Sequence, residues 1–452
     1  MSERNFYQRL SKGLGSAILD IKANPSSEEY KEIVLRFCLR DLFYDWQAEG
    51  TKGNYLYTAI CALKEKEYFE KIVVKKFLSH CPDHLFMQLA DILFCYAEDG
   101  SEIAKAAFYT KYDYFLNKTR KFAKSFRLDE DFQWDYVTKH LFGIGGFTIF
   151  KSHAINMGGM LQNKPENKNT YYYGDFISES EKIFGKKRTV NFLEKMYGKS
   201  SAIKVLVDTL HEEKMERKQY AADFEREKIT INSLLEIAQE TASREVMHFG
   251  AIMRYRYSFF EKASGAEILT LANSILEEEN ETTKGLLLRI FSKRQFPLGF
   301  EPLLEYARSE NKILSENALY LLEEFKGKKI HDLAILLLQK QGLDSHALGL
   351  LKKNYRKTDD EIIYKLIKKT TSIPHHILVD IRMIYNRYYS NKAFPILFHT
   401  YLYGQCTYCR YGIVKAMKSC RVLPDDILEE CLHDSYFETR KLAQKLQKVK
   451  KS

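Results

Sequence analysis

From about residue 240 onward the chain repeats itself, and no other sequence feature restricts its fold as much. Six segments share one pattern of a polar start, a small or polar residue, and a short apolar stripe: ENETTKGLLLRIF, ENKILSENALYLL, GLDSHALGLLKKNY, IPHHILVDIRMIY, GQCTYCRYGIVKAM and DSYFETRKLAQKL. Aligned on the residue before each stripe, they bring Lys284, Ser315, His346, Leu378, Arg410 and Arg440 into register at steps of 30 to 32 residues. Between them lie EPLLEYARSE, IHDLAILLLQKQ, DEIIYKLIKKT, FPILFHTYLYG and DDILEECLHD, each with its own apolar face. Two short antiparallel helices per ~31 residues cannot bury their apolar faces alone, so each pair must stack on its neighbours.

The helical period holds upstream as well. FEKIVVKKFLSH aligns Phe69, Ile72, Val73, Phe77 and Leu78, and DHLFMQLADILFCY aligns Leu85, Phe86, Leu89, Ile92, Leu93 and Tyr96. Apolar residues at i, i+3, i+4 and i+7 place one side of a helix in a core. Strand-like alternation is nearly absent, and 22 Gly and 8 Pro in 452 residues are too few for a many-turned sandwich or barrel. The fold class is therefore all-α, with a less regular helical region ahead of the repeats. One stretch interrupts that region. Gly143 to Asp175 holds six glycines, several Asn and a Pro, and predicts a long loop or connector. The expected division is a helical N-terminal region over 1–142, a Gly/Asn-rich loop over 143–185, and helical repeats over 186–452.

The last two units resemble the second halves of HEAT repeats: a turn residue, an Arg (Arg410, Arg440), then small or aliphatic residues such as Gly412 and Ala443. Asp434 with Arg440 fits the turn-acid and Arg pairing common in that family. Gln405 with Arg410 fits in part, and Ser315 and Leu378 depart from it. The resemblance covers roughly 240–450. It implies a right-handed α-solenoid of the armadillo-like kind, with a curved surface for protein or nucleic-acid partners.

Charge divides the chain unevenly. The net charge is +10, and Leu351 to Ser452 alone carries 20 Lys+Arg against 10 Asp+Glu. A basic end on a neutral body suits an acidic partner, unless it is simply a solvated helical tail. The first residues, MSERNFYQRLSKGLGSAILD, lack the apolar core of a signal peptide. No window reaches the ~18 apolar residues of a membrane span, so no membrane partner is expected. Eight cysteines in a chain of this length read as small core residues kept reduced, which points to a cytoplasmic protein.

Few constellations suggest chemistry. Cys406-x-x-Cys409 with Cys420 and either Cys431 or His433 has the ingredients of a zinc site. A CxxC pair inside a helix, however, also faces the core of a repeat, so no metal or cofactor is assigned. Asp41, Asp45 and Glu49 lie four apart and would share one helical face, with Trp46 beside them to stack a base or sugar. A solvated acidic face is the plainer reading. GIGG, Gly143 to Gly146, lacks the Lys-Ser/Thr of a phosphate loop. His140, His153, His375 and His376 have no triad-like partners, and no residue is assigned a catalytic role.

Basic and aromatic residues interleave in Tyr109–Arg127, in MRYRYSFF with Arg254 and Arg256, and in YNRYYSNK. Such interleaving suits phosphates and stacked bases, although Tyr and Phe at helical spacing are also plain core. The leading expectation is a non-catalytic HEAT-like scaffold that binds a protein partner. The alternative is a nucleic-acid-binding solenoid using Arg410, Arg440, Lys441, Lys445 and Lys448. A third reading is an enzyme sited around Asp41, Asp45, Glu49 and the Gly143–Gly159 stretch. Positive residues gathered along one groove would favour nucleic acid; dispersed ones would favour the scaffold.

Overall fold

The computed structural model describes residues 6–42, 44, 46–121, 128–163, 173–226, 229–243, 250–343 and 345–451. The described residues are helical apart from turns and one isolated parallel bridge between Ile373 and Gly404. None of their helices is long and apolar enough to cross a membrane. The chain forms two compact units, one of residues 1–219 with 426–452 and the other of residues 220–425.

In the first unit α1 (Gly15–Ala23), α2 (Gly53–Leu63), α3 (Asp83–Glu98) and α4 (Leu128–Asn163) pack each on the next. The stripes predicted from sequence point inward: Phe69, Val73 and Phe77 are buried, as are Leu85, Phe86, Leu89, Ile92, Leu93 and Tyr96. Leu78, at the end of its helix, is exposed. Phe37, Phe108, Phe115, Trp134 and Phe142 complete a core dominated by rings, each side chain contributing about 1.5–3 kcal/mol when fully buried. His153 lies inside it, 0% exposed. Its Nδ1 is 2.9 Å from the Tyr112 hydroxyl, and the Phe176 ring stands edge-on at 4.8 Å. Burial among these groups pulls the imidazole pKa down to about 3, which keeps it neutral.

The glycine-rich segment is not the loop its composition predicts. Helix α4 runs through it to Asn163, broken only by a kink at Gly146 (φ 65°). Gly158 serves packing instead. A Cβ on Gly158 would collide with the backbone carbonyl of Ala202, so the small residue lets two helices approach closely. Residues 164–172 lie outside those described.

The C-terminal residues of this unit close on its N-terminal ones. Ser435 N–H donates to the Gly13 carbonyl at 2.9 Å, and Ser16 Oγ donates to Glu430 at 2.9 Å. Gly15 lies so near the Glu430 carbonyl that no Cβ fits between them.

The second unit contains the first five repeating segments, while the sixth, DSYFETRKLAQKL, falls in the first unit with nearly all of its partner DDILEECLHD. Its helices include α5 (Glu281–Leu288), α6 (Lys312–Leu322), α7 (Lys328–Gln341) and α8 (Ser345–Asn354), then α9 (Asp359–Ile367), α10 (His375–Tyr388), α11 (Phe394–Tyr403) and α12 (Thr407–Ser419). Helices α5, α6, α8, α10 and α12 pack each on the next, while α7, α9 and α11 form a second row beside them. Asn280 and Asn311, one repeat apart, cap α5 and α6 by accepting backbone N–H groups. Each cap contributes about 1 kcal/mol. Asn311 Nδ2 also donates to Thr282 Oγ1 at 2.9 Å, tying one cap to the preceding helix.

Candidate functional site

Along the first of these rows the second unit opens a cleft of about 1150 Å³. The helical period explains which side chains reach it. In α10 the core takes Leu378, Ile381, Ile384 and Tyr385, leaving Val379, Arg382, Met383, Asn386 and Arg387 to line the cleft. In α12 the lining residues Tyr408, Tyr411, Gly412 and Lys415 follow the i, i+3, i+4, i+7 pattern of one face. Lys293, Glu323, Lys352, Arg382 and Tyr411 line the cleft at steps of 29 or 30 residues, slightly shorter than the repeat, so the lining position drifts from beyond the C-terminus of α5 at Lys293 to near the start of α12 at Tyr411.

The lining carries six cations, Lys293, Lys352, Lys353, Arg382, Arg387 and Lys415, against two carboxylates, Glu323 and Glu324. Two of the cations are held internally. Lys352 Nζ lies 2.9 Å from Glu323 and 2.6 Å from Asp380, and Lys353 Nζ lies 2.6 Å from Glu324. Burial pushes the Lys352 pKa down, but the Asp380 and Glu323 carboxylates outweigh it and leave the value raised. Glu323 is shifted upward by burial despite its Lys352 partner. Lys293, Arg382, Arg387 and Lys415 make no ion pair among the described residues. The Arg382 guanidinium lies 5.3 Å from the Tyr408 ring and Lys415 lies 5.3 Å from Tyr411, so rings and cations alternate along the wall.

Tyr389 completes the lining, 60% exposed. It caps α10 in the left-handed region (φ 47°), which costs a side-chain-bearing residue about 1–2 kcal/mol. Its neighbour Ser390 is anchored. The buried Asp360 carboxylate accepts hydroxyl hydrogen bonds from Tyr355 at 2.7 Å, Tyr385 at 2.6 Å and Ser390 at 2.7 Å. Three elements are thereby pinned at the point where Tyr389 turns outward.

The residues expected to bind from sequence lie elsewhere. Arg410 is buried, 1% exposed, and cannot reach a phosphate. Arg440 is half-buried, and its Nη1 donates to the Asp434 and Ser435 carbonyls at 2.7 and 2.9 Å. It serves its own turn, and burial lowers its pKa. Lys441, Lys445 and Lys448 are exposed on the helix Phe437–Lys451 of the first unit and line no part of the cleft. Arg256 is buried with its guanidinium on the Ser292 carbonyl, while the Arg254 side chain lies outside the described residues.

Asp41 and Glu49 do not share a helix. The helix Glu28–Cys38 ends before Asp41, and the next helix begins at Trp46. Buried Lys52 draws this segment into a turn, donating to the Leu42 carbonyl at 2.6 Å and facing Glu49 at 3.7 Å. Glu49 also accepts the Tyr44 N–H at 2.7 Å. Asp41 is exposed, whereas Asp45 and the Trp46 side chain lie outside the described residues. Of the interleaved stretches, YNRYYSNK alone contributes to the cleft, through Arg387 and Tyr389. Lys293, Lys352, Arg382, Tyr408, Tyr411 and Lys415 escaped the sequence reading. Lys293, Lys352, Arg382 and Tyr411, with Glu323 between the first two, fall at steps of 29 or 30 residues, whereas Tyr408 and Lys415 are marked only by sharing the Tyr411 face of α12.

Comparison with protein-family models, curated proteins and solved structures finds no match.

Proposed function

We propose that residues 281–419 form an α-solenoid of HEAT-like helical pairs, a non-catalytic module whose first row holds the phosphate backbone of a nucleic acid. The observation that carries this reading is the gathering of charge. Four cations without a carboxylate partner and three tyrosines, Tyr389, Tyr408 and Tyr411, share one cleft. Phosphates need the cations and unstacked bases need the rings. A protein partner would instead call for an apolar anchor pocket, and Val379 and Met383 are the sole aliphatic side chains among the lining residues.

Fluorescence anisotropy with labelled single- and double-stranded DNA and RNA tests the proposal. The intact protein is expected to bind at low salt. The double variant Arg382→Ala/Lys415→Ala is expected to bind at least ~10-fold more weakly, while Lys441→Ala/Lys445→Ala leaves affinity unchanged. Failure of the intact protein to bind any of the four at low salt would sink the reading and return the cleft to a protein partner.

A further inference from the structure

The geometry points to a zinc site between the N-termini of α10 and α12, formed by His375, Cys406 and Cys409. The sequence places Cys406 and Cys409 in a repeat helix, where a CxxC pair faces core. The backbone is different. Cys406 is the residue before α12, in extended conformation (φ −85°, ψ 120°), and its sulfur accepts the Cys409 N–H at 3.5 Å. The pair therefore occupies a turn into a helix, the setting in which both sulfurs can face one ion. Cys420, the partner suggested by sequence, lies past the far end of α12 against the Tyr385 carbonyl.

His375 takes its place. It is the first residue of α10, and backbone bonds hold it opposite Cys406. Ile373 N–H donates to the Tyr403 carbonyl at 3.1 Å, and Gln405 N–H returns to the Ile373 carbonyl at 3.4 Å. This is the parallel bridge of Ile373 with Gly404, reinforced by Gln405 Nε2 on Ser372 Oγ at 2.9 Å. The two segments leading into the helices are thus joined two residues ahead of the ligands. His375 Nδ1 lies 3.4 Å from Cys409 Sγ, and the ligand atoms of all three residues fall within 4.8 Å of one another. Tetrahedral zinc with Zn–S of about 2.3 Å and Zn–N of about 2.0–2.1 Å sets sulfur and nitrogen roughly 3.6 Å apart. The site is already near that spacing.

The chemistry favours a borderline-soft cation over calcium or magnesium, since two sulfurs and an imidazole offer no oxygen. The N-terminal dipoles of α10 and α12 and the Cys409 N–H stabilise thiolate. On binding, each thiol loses its proton to water, neutral His375 donates its lone pair, and no electron is transferred. The two thiolates neutralise the divalent charge, which the buried position requires. Both cysteines are 0% exposed and His375 is half-buried, so the fourth position, held by water, opens on the histidine side. Zinc here would lock α10 to α12, the two helices that supply most of the cleft lining.

Cobalt(II) titration of the full-length protein, reduced and freed of metal, tests the site. One equivalent is expected to raise a near-ultraviolet thiolate-to-cobalt charge-transfer band, which zinc then displaces. Cys409→Ser is expected to abolish the band and His375→Ala to weaken binding at least ~10-fold, whereas Cys420→Ser keeps both band and stoichiometry. No charge-transfer band in the folded wild-type protein would overturn the proposal, as would a band that survives Cys409→Ser or is lost in Cys420→Ser. A variant that fails to fold does not shelter the claim, because an absent band in the folded wild-type protein overturns it without any variant.

Discussion

The first unit buries an imidazole among rings, whereas the second buries a carboxylate under hydroxyls. His153 is enclosed by Tyr112, Trp134, Phe142 and Phe176. Its Nε2 meets no hydrogen-bond partner among the described residues. Asp360 is satisfied by three hydroxyls drawn from α8's end, from α10 and from the residue after Tyr389. Ring packing rewards volume and tolerates small shifts of register, while a charge-assisted hydrogen-bond network is satisfied in one arrangement. Under the proposed binding role, the second unit must keep its cations and tyrosines in line, which a network satisfied in one arrangement supports.

The largest effect expected from breaking this contrast is in the ring core. Phe150→Ala, which removes a fully buried ring from that core, should cost about 3–5 kcal/mol in urea unfolding, with cleft affinity unchanged well below the transition. Asp360→Ala leaves three buried hydroxyls without their acceptor and should cost about 2–4 kcal/mol. Unlike Phe150→Ala it should also weaken nucleic-acid binding, because Ser390 no longer anchors Tyr389. If both variants weakened binding equally, the division of labour between the units would fail.

Acid sharpens the same comparison. His153 titrates near 3 when folded, against an ordinary 6.5, so below about pH 6.5 the unfolded chain takes up a proton that the native state refuses. Stability from this group is full above that pH and is lost progressively as pH falls toward 3. Between pH 7.5 and 4.5 the loss should be about 2–3 kcal/mol, and His153→Phe should remove that part of the pH dependence. An identical pH profile for the variant would show that the imidazole is not held neutral. A smaller effect is expected at the chain closure. Gly15→Ala forces a methyl onto the Glu430 carbonyl and should cost about 1–3 kcal/mol, seen as faster amide exchange over residues 426–452. Smallest in stability is Arg382→Ala, within about 0.5 kcal/mol of wild type, since its effect falls on binding.

Much of the architecture was legible because helix formation follows a short period. Every repeat segment and partner segment forms a helix, and the stripe from Leu85 to Tyr96 is buried as its spacing required. Gly143 to Asn163 misled because glycine reports both flexibility and close approach, and only the position of Ala202 shows which applies at Gly158. The closure of Ser435 on Gly13 left no trace in sequence, since it rests on backbone groups that any residue carries. Charge density along the sequence does not report which cations line the cleft. Arg410 and Arg440 serve as internal residues, whereas the cleft draws on Lys293, Lys352, Arg382 and Lys415, spread over 123 residues of sequence. Spacing alone reads the CxxC pair as helix core with no metal assigned, because His375, 31 residues before Cys406, becomes its neighbour only through the Ile373–Gly404 bridge.

The most direct test of the cleft is the salt dependence of single-stranded binding. Four uncommitted cations on four phosphates give a slope of log affinity against log salt of roughly −3. The Arg382→Ala/Lys415→Ala variant should halve that slope to roughly −1.4. A slope near zero, or one that the double variant leaves unchanged, would contradict the account.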